Sequence, residues 1–597
     1  MISKIQAVFG KTSTVIQNYF MILTMALICS FFSIALTASP GRMDDYNFFH
    51  LKIAIVSALG ISLLFALKML SQRIGKELIL NLVGIAFLVL IYFLLPVREK
   101  NFTEVYAYLL IPLFLLSHIL VAFIPFLNKN QELRFWRYNK NLFINTFLTA
   151  VFTGVLTGGV LLAILAIDNL FDFNFNSNYY NYTFNFLSIV GSAFIFLLFN
   201  EKGLHDLEVD GDYPVILKFF TQYILIPLLI IYLVILYFYS AKILINWELP
   251  RGWVSYLILA YSIVGILAIL LVHPLKEETA RSWVKIFSKA FYYTLIPLII
   301  LLFTAIFTRI LEYGYTEPRY FVLLLAIWLT IVGLYFILIP RDTIKFVPVS
   351  LFAVAVFALA MPYFNAFSVA NRSQENELMQ TLKEHNLLEN GKINFTKKVK
   401  SSVVSEVGDK FQFLAKRNQQ EFLKPLVSNK IHTEIEKSIV NGNYYGVENS
   451  IQKHFTNITA DEPIKNNGYE SVELTAKSSI TNISEYTYLF KASKFESDTF
   501  TFDDNTLELS IFSNSESNSK YNLRLNDETV NLKPDFEQLF KKYTFSGETK
   551  VDHLFITKKI GKYEIKILFD NINKIKDGPN SDPRYLILSQ SVFILIK

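Results

Sequence analysis

Ala290–Ile339 reads AFYYTLIPLIILLFTAIFTRILEYGYTEPRYFVLLLAIWLTIVGLYFILI, and this stretch decides the fold. It consists of two apolar runs joined by a short polar turn, and each run is long enough to cross a bilayer as a helix. Similar apolar runs, separated by short polar loops, recur through most of Tyr19–Tyr363. This pattern is typical of a polytopic helical membrane protein.

The polar turn between the two runs is the densest cluster of chemically capable side chains in this part of the chain. Gly314 is expected to end the first helix, and Thr316 or Glu317 to cap the next one, with Pro318 in its first turn. The candidate site residues are two acids, two arginines and a tyrosine: Arg309, Glu312, Tyr315, Glu317 and Arg319.

Two interpretations of this turn remain open. Arg309 and Glu312 lie three residues apart on one helix face, so an ion pair between them can hold the turn closed. Alternatively, the turn forms a polar pocket at the outer surface. Glu317 and Arg319 would then engage a lipid headgroup, a glycan or a proton.

We predict eleven membrane-spanning helices, because a single apolar run in lipid satisfies its backbone groups only as a helix. The predicted spans are 19–37, 51–70, 77–95, 105–127, 141–167, 182–199, 215–240, 253–272, 289–310, 319–339 and 344–363.

The loops between these spans carry an unequal share of positive charge, which sets orientation in a membrane. Lysine and arginine are about twice as frequent in the N-terminal segment and every second loop after it as in the alternate loops. This bias predicts a cytoplasmic N-terminus. Eleven crossings of the cytoplasmic (inner) membrane then place the C-terminal half in the periplasm of a two-membrane bacterium.

The chain after the last apolar run is polar and charged, so we predict a transmembrane domain over 1–363 and a soluble remainder. Helical periodicity predicts a helical part over 364–456, including a helix over Ser368–Leu388. Residues 457–597 alternate apolar and polar positions and predict a β-rich part, an antiparallel sheet of six or more strands. The predicted fold class is a polytopic α-helical membrane protein with a C-terminal soluble α+β domain.

Two features inside the apolar runs are functional candidates. His118 lies mid-span in the fourth run, where an ionisable group is a functional hypothesis by default, although a neutral histidine also bonds simply to a neighbouring carbonyl. Gly154 and Gly158 form a small-residue face that suits close helix approach. That face serves either packing within the chain or a homodimer.

Several classes of chemistry find no support in the sequence. The single cysteine, Cys29, excludes an intrachain disulfide and cysteine zinc sites. Asp210–Asp212 resembles the start of a calcium loop but lacks the later ligands, so we predict no metal and no cofactor. In the polar half after the last apolar run, phosphate-binding, nucleophile and metalloprotease motifs are missing, and basic residues are matched by acids, which argues against nucleic acid.

Four stretches together resemble a known family, DUF4153, a group of uncharacterised bacterial inner-membrane proteins frequent in Bacteroidota. The stretches are Asn246–Ser255 (NWELPRGWVS), Phe291–Leu301 (FYYTLIPLIIL), Arg309–Phe321 (RILEYGYTEPRYF) and Asn365–Ile393 (NAFSVANRSQENELMQTLKEHNLLENGKI). The resemblance implies a membrane architecture. It implies no established activity and no agreed catalytic residues, so it transfers no site.

Three functions fit these observations. The favoured one is a non-enzymatic envelope scaffold or recognition protein that presents a periplasmic domain to envelope partners. The second is a transporter or channel-like protein with a soluble gate, which a continuous polar cavity would support. The third is a membrane-embedded enzyme that acts on lipid or glycan through Glu312, Glu317 and Arg319.

Overall fold

The computed structural model describes most of the chain in sixteen stretches. These are residues 11–38, 44–127, 131–171, 173, 175–209, 215–246, 254–272, 282–339, 343–459, 469–477, 482–492, 498–512, 520–541, 547–577, 582–587 and 592–597. Positions 247–253 of the NWELPRGWVS motif and the Asp210–Asp212 segment lie outside the described residues. The described chain divides into two compact units, Met1–Thr459 and Ala460–Lys597.

The first unit contains long apolar helices. Ten helices in the described residues are long and apolar enough to cross a membrane. They are α1 (Phe20–Ala38), α2 (Asp45–Ile74), α3 (Glu77–Leu94), α4 (Val105–Phe126), α5 (Glu132–Phe171), α6 (Ser177–Phe199), α7 (Phe220–Ile243), α8 (Val254–Val272), α9 (Lys289–Tyr313, the apolar part of a longer helix from Ser282) and α10 (Glu317–Leu338).

A shorter helix, α11 (Phe346–Ala360), occupies the place of the eleventh predicted span and has only 15 residues. It ends early because Pro362 disfavours a helical conformation at the residue before it, and Met361 is extended. Tyr363 then takes a positive φ of 69°, which turns the chain.

The apolar helices pack around two separate cores. One core joins residues of α1 to α4, α6 and the start of α5, and the other joins residues of α7 to α10. A polar contact connects the two groups, because the Trp136 indole N–H of α5 donates to the Leu270 carbonyl of α8 at 2.8 Å. Within the first group, the Glu132 carboxylate accepts from the Ile344 backbone N–H at 2.6 Å.

A polar helical segment, residues 366–459, completes the first unit. Its four longer helices are α12 (Ala366–Glu384), α13 (Ser401–Ala415), α14 (Asn429–Val440) and α15 (Tyr444–Gln452). Apolar residues at helical spacing, such as Leu378, Leu382, Val407 and Phe411, are fully buried in a core of their own. A short parallel pairing joins Val399–Lys400, directly before α13, to Ile458–Thr459 at the end of the segment.

The second unit is β-rich, with one helix, α16 (Lys533–Phe540). Its strands are β1 (Tyr469–Ala476), β2 (Tyr488–Ala492), β3 (Asp498–Phe502), β4 (Asn505–Phe512), β5 (Lys520–Leu525), β6 (Glu528–Asn531), β7 (Gly547–Val551), β8 (Phe555–Ile560), β9 (Tyr563–Leu568), β10 (Asn571–Asp577), β11 (Arg584–Ile587) and β12 (Val592–Ile596).

The strands of this unit form three four-stranded sheets rather than the single antiparallel sheet that we predicted. The strand orders in the described residues are β6-β5-β4-β3, β7-β1-β10-β11 and β8-β9-β12-β2. One pairing, between β7 and β1, is parallel. β8 and β9 pair in antiparallel register and form a hairpin around Gly561. Alternation of apolar and polar residues indicates that a strand has one buried face, but it does not identify the strand with which it pairs. The number of sheets therefore could not be predicted from this pattern.

Candidate functional site

The polar turn lies between α9 and α10, and one glycine, Gly314, determines its backbone conformation. Gly314 has a φ of +69°, and its N–H donates to the Ile310 carbonyl at 2.8 Å, which ends α9 in a left-handed cap. Thr316 is the extended residue before α10, but its side chain makes no capping hydrogen bond. Glu317 and Pro318 then form the first turn of α10.

The two arginines of the turn, Arg309 and Arg319, both contact the end of α9, but not through an ion pair between Arg309 and Glu312. Arg319 donates to the carbonyls of Tyr313 and Gly314, at 3.0 and 2.7 Å, and so satisfies the end of α9. The guanidinium of Arg309 lies 5.9 Å from the centre of the Tyr313 ring. Among the ion pairs of the described residues, none joins Arg309 to Glu312, whose side chain is exposed.

The first helix of the polar segment, α12, covers this turn. The Gln374 side-chain amide donates to the carbonyls of Tyr313 and Tyr315, at 2.9 and 3.0 Å. The Ser373 hydroxyl accepts from the Tyr315 backbone N–H at 2.8 Å. These contacts satisfy backbone groups that the turn would otherwise leave open. The turn is therefore a docking surface for α12.

Glu317, the first residue of α10, makes the most distinctive contact of the site. Its carboxylate accepts two hydrogen bonds from Arg417, one from Nε and one from Nη2, each 2.7 Å long. The Glu317 side chain is fully buried, and 6% of the Arg417 side chain is exposed. Two parallel, charge-assisted bonds fix both distance and orientation. The pair thus joins an apolar helix to a residue 100 positions later in the chain.

Arg417 is held in place from its own side as well. It follows α13, donates to the Phe413 carbonyl at 2.9 Å, and lies 3.3 Å from the centre of the Phe413 ring. These two contacts with Phe413 hold the guanidinium in place for its hydrogen bonds to Glu317. Breaking this arrangement by removing one partner would leave a buried, uncompensated charge.

The neighbouring residue, Lys416, contacts a different apolar helix. Its ammonium lies 2.7 Å from the carboxylate of Glu104, the residue before α4. Burial is the largest influence on the Glu104 carboxyl and raises its pKa, but the hydrogen bonds from Lys416 and the backbone, together with the charges of Lys416 and Arg417, outweigh it and hold the pKa below its usual value. Consecutive residues of the polar segment therefore attach it to the starts of α4 and α10.

A polar groove of about 420 Å³ lies beside the Glu104–Lys416 pair. Lys100 borders it from the apolar side, and Gly442, Tyr444 and Tyr445 border it from the polar segment. Gly442 has a φ of +73°, and a Cβ there would lie 2.8 Å from the Cβ of Lys100. The backbone of the polar segment thus comes close to the loop before α4.

Sequence reasoning identified Glu317 and Arg319 but missed Ser373, Gln374 and Arg417. Ser373 and Gln374 lie within NAFSVANRSQENELM, directly after the last apolar run. This position next to the membrane-spanning helices is the feature of the sequence that could have indicated a contact with them. Arg417 lies in an ordinary amphipathic helix pattern, DKFQFLAKRNQQEFL. Its role depends on a contact that no local pattern encodes.

His118 lies on α4, away from the turn, and its ring lines a cavity among the apolar helices. The ring atom Nδ1 lies 2.8 Å from the Phe114 carbonyl one turn earlier. This contact agrees with the interpretation that His118 is a neutral histidine bonded to a neighbouring carbonyl. The cavity has a volume of about 720 Å³ and is bordered by α1, α2, α4, α5 and α6.

The small-residue face on α5 has open space beside it. A Cβ built at Gly154 or Gly158 would have no heavy atom within 4 Å, outside its own helix backbone. The face is therefore not used for close helix packing within the described chain. In the described residues, no group of three or more histidine, cysteine or acidic side chains could hold a metal ion.

The ten apolar helices, with a polar segment bound at the starts of two of them, suggest a membrane protein of the multi-pass class. Comparison with protein families then gives the particular assignment. The chain belongs to the family described as "Domain of unknown function (DUF4153)", which matches residues 20–390 and confirms the resemblance. The matched region includes Glu317 and Gln374 but ends before Arg417.

A bacterial protein is similar to part of this chain. The relative is "Uncharacterized protein PM1469" of Pasteurella multocida (strain Pm70), with 30% identity over 183 residues. That region covers 29% of this chain and 30% of the relative, so the chain spans less than a third of the relative's length. No solved structure matches the chain.

Proposed function

We propose that this chain is a non-enzymatic scaffold or recognition protein of the bacterial inner membrane, which holds its polar segment and C-terminal unit in the periplasm for partner proteins. The observation that carries the proposal is the buried pair between Glu317 and Arg417. A moving gate needs contacts of low local stability. A bidentate, buried ion pair instead favours one fixed orientation, which suits the base of a recognition module.

The contacts between loops support the proposed orientation. Loops that the charge bias assigns to the outer side contact one another: the Glu99 backbone N–H donates to Asp45 at 3.0 Å, and Lys416 pairs with Glu104. Loops assigned to the inner side do the same, as Glu132 bonds to Ile344 at 2.6 Å. Positive charge is concentrated in the second set, which favours the cytoplasm.

The short helix α11 completes this topology as an eleventh crossing. α10 starts at the turn, and the chain after α11 returns to it, because the Tyr320 hydroxyl donates to the Phe364 carbonyl. α11 is shorter than α10, so we propose that the extended residues Ile339 and Met361 on either side of it help the chain to return to the turn. An odd number of crossings separates the N-terminus from the polar segment.

Reporter fusions test this orientation. We expect alkaline phosphatase fused after Lys597 to be active, because the enzyme folds only in the periplasm, and the same reporter inserted at Asn128–Asn130 to be inactive. An inactive C-terminal fusion whose cytoplasmic fluorescent counterpart is bright would contradict the proposed topology.

Affinity purification of the tagged full chain from native membranes, with mass spectrometry of proteins and lipids, tests the scaffold function. We expect a stoichiometric envelope protein whose recovery falls several-fold in Arg417→Met and is unchanged in Lys416→Met. Intact protein that purifies without any such partner would exclude the scaffold function.

The cavity beside His118 favours a second candidate, a transporter or channel-like protein. Transport requires that water reaches such a site from at least one side. Cys29 borders the cavity and is the only cysteine of the chain, so it reports on this access directly. Labelling of Cys29 by a membrane-impermeant maleimide in intact membranes supports transport, whereas complete protection argues against it.

We also propose that the open face at Gly154 and Gly158 on α5 forms a homodimer contact, since small residues permit close helix approach in lipid. In a Cys29→Ser background, Gly158→Cys should form a disulfide-linked dimer on mild oxidation. Ala163→Cys is the control on the same helix. Equal cross-linking of both variants, or of neither, would contradict this interface.

A further inference from the structure

The cavity among α1, α2, α4, α5 and α6 has the size of a ligand site. Its volume of about 720 Å³ lies within the range of about 300–1,000 Å³ that is typical of small-molecule pockets. Most of its surface is apolar, with residues such as Phe65, Phe143 and Phe196 along its walls. Polar side chains contribute at a few positions, which is the usual composition of a site that binds and orients one molecule.

The lining contains hydrogen-bonding groups but no formal charge. His118, Asn139, Thr146 and Ser188 are among its polar members, and no Asp, Glu, Lys or Arg is among the described residues that border it. A charged group at this depth would lack an opposite charge and would be costly to bury. The chemistry of the walls therefore selects an uncharged molecule.

His118 presents a specific acceptor to the cavity. A carbonyl oxygen only accepts, so the contact of Nδ1 with the Phe114 carbonyl at 2.8 Å places the ring proton of the neutral form on Nδ1. Nε2 then carries a lone pair. The Ser117 hydroxyl also contacts the Phe114 carbonyl, at 2.8 Å, and the Ser62 hydroxyl at 2.7 Å.

The part of the cavity wall that α6 forms carries a second, independent sign of a site. Within α6, Leu187–Gly191 is a π-helical segment, a geometry that is frequent at functional sites. Ser188, Ile189 and Ser192 of this region all border the cavity. The helix therefore departs from regular α geometry where it borders the cavity.

We propose that this cavity binds a neutral, long-chain lipid-like molecule whose hydroxyl group donates a hydrogen bond to His118 Nε2. The apolar walls hold the chain, and the acceptor distinguishes an alcohol from a plain hydrocarbon or an ordinary membrane lipid tail. This inference does not depend on the scaffold function, because it concerns a site within the apolar helices.

Equilibrium binding of radiolabelled probes to the full-length protein in phosphatidylcholine nanodiscs tests the site. The probes are hexadecanol, its methyl ether, hexadecane and palmitate. We expect saturable binding of hexadecanol, about fivefold to tenfold tighter than its methyl ether, which keeps the chain but cannot donate. Equal binding of alcohol, ether and alkane would show that lipid tails fill the cavity without selection and would overturn the proposal, as would tighter binding of palmitate.

Two pairs of variants assign the result to the cavity. His118→Leu should remove the preference for alcohol over ether, whereas His118→Gln, which keeps an acceptor, should retain it. Ala150→Phe should fill the cavity and abolish hexadecanol binding. Ala163→Phe, at a position of the same helix that does not border the cavity, should leave it unchanged. Hexadecanol binding that is insensitive to both Ala150→Phe and His118→Leu, in protein that elutes as a single species, would place the ligand elsewhere and overturn the assignment.

Discussion

Replacing Arg417 by methionine is expected to lower the free energy of unfolding of the first unit by about 3–5 kcal/mol, the typical cost of removing one partner of a buried ion pair. Glu317 is fully buried, and both its oxygens bond to Arg417 at 2.7 Å. Without the guanidinium, the carboxylate must remain buried and unpaired or the polar segment must move away. A fall in Tm in detergent and faster tryptic cleavage after residue 400 would both report this change.

Lys416→Met is the matched control, because it removes the adjacent cation of the same segment. Its partner Glu104 is half exposed, with 55% of the side chain accessible to solvent. Exposed pairs contribute only about 0–1 kcal/mol. Equal losses of stability in Arg417→Met and Lys416→Met would contradict the importance of the buried pair.

The double variant Glu317→Leu with Arg417→Met separates the charge from the packing. It should recover much of the stability that Arg417→Met loses, since a hydrophobic pair of similar volume can replace a buried ion pair at little cost. A double variant as unstable as the sum of the single ones would indicate that each side chain acts independently.

The Glu104–Lys416 pair should respond to pH in a defined direction. The pKa of the Glu104 carboxyl lies below its usual value in the folded chain, so its ionised form stabilises the native state. That contribution is fully present above the unfolded-state pKa and is lost as the pH falls through the lowered pKa. The difference in Tm between wild type and Lys416→Met should therefore shrink in acid.

Gly314→Ala is the second change with a large expected effect, about 2–4 kcal/mol of lost stability. A φ of +69° is strained for alanine. In addition, the new Cβ would lie 2.8 Å from Gln374 Nε2 and Glu377 Cγ and 2.9 Å from Ser373 Oγ, so these three side chains must move and their contacts with the turn are disturbed. The measurement is again Tm in detergent, together with protease sensitivity of α12.

Gly75→Ala provides the control for backbone strain alone. Gly75 ends α2 with a φ of +73° and donates to the Ser71 carbonyl at 2.7 Å, but a Cβ there would meet nothing within 4 Å. Only the conformational cost, about 1–2 kcal/mol, is then expected. If the two alanine variants lose the same stability, close packing of α12 on the turn contributes nothing measurable.

The apolar helices could be predicted well because their signal is local. A run of apolar residues of sufficient length gives a helix wherever its neighbours lie, and even the turn at Gly314 follows from a single residue. The length of α11 is a local matter too, since Pro362 limits it, but hydropathy alone extended the predicted span to Tyr363.

The parts that could not be predicted depend on contacts between distant residues. Glu317 was selected for its chemistry, yet nothing near it in the sequence points to Arg417. The alternation in β7 and β1 identifies strands but gives neither their parallel pairing nor the division into three sheets. The cavity beside His118 likewise depends on five helices whose arrangement their composition does not encode.

The separation of 100 residues between Glu317 and Arg417 has a consequence for biogenesis. At ribosomal rates of about 5–20 residues per second, Arg417 is synthesised roughly 5–20 s after Glu317. Throughout that interval the Glu317 carboxylate lacks its partner cation, and we expect the unpaired chain to be more open to proteolysis. Pulse-chase decay should therefore be faster for Arg417→Met than for Lys416→Met, because only the first variant leaves the buried Glu317 carboxylate without its partner throughout.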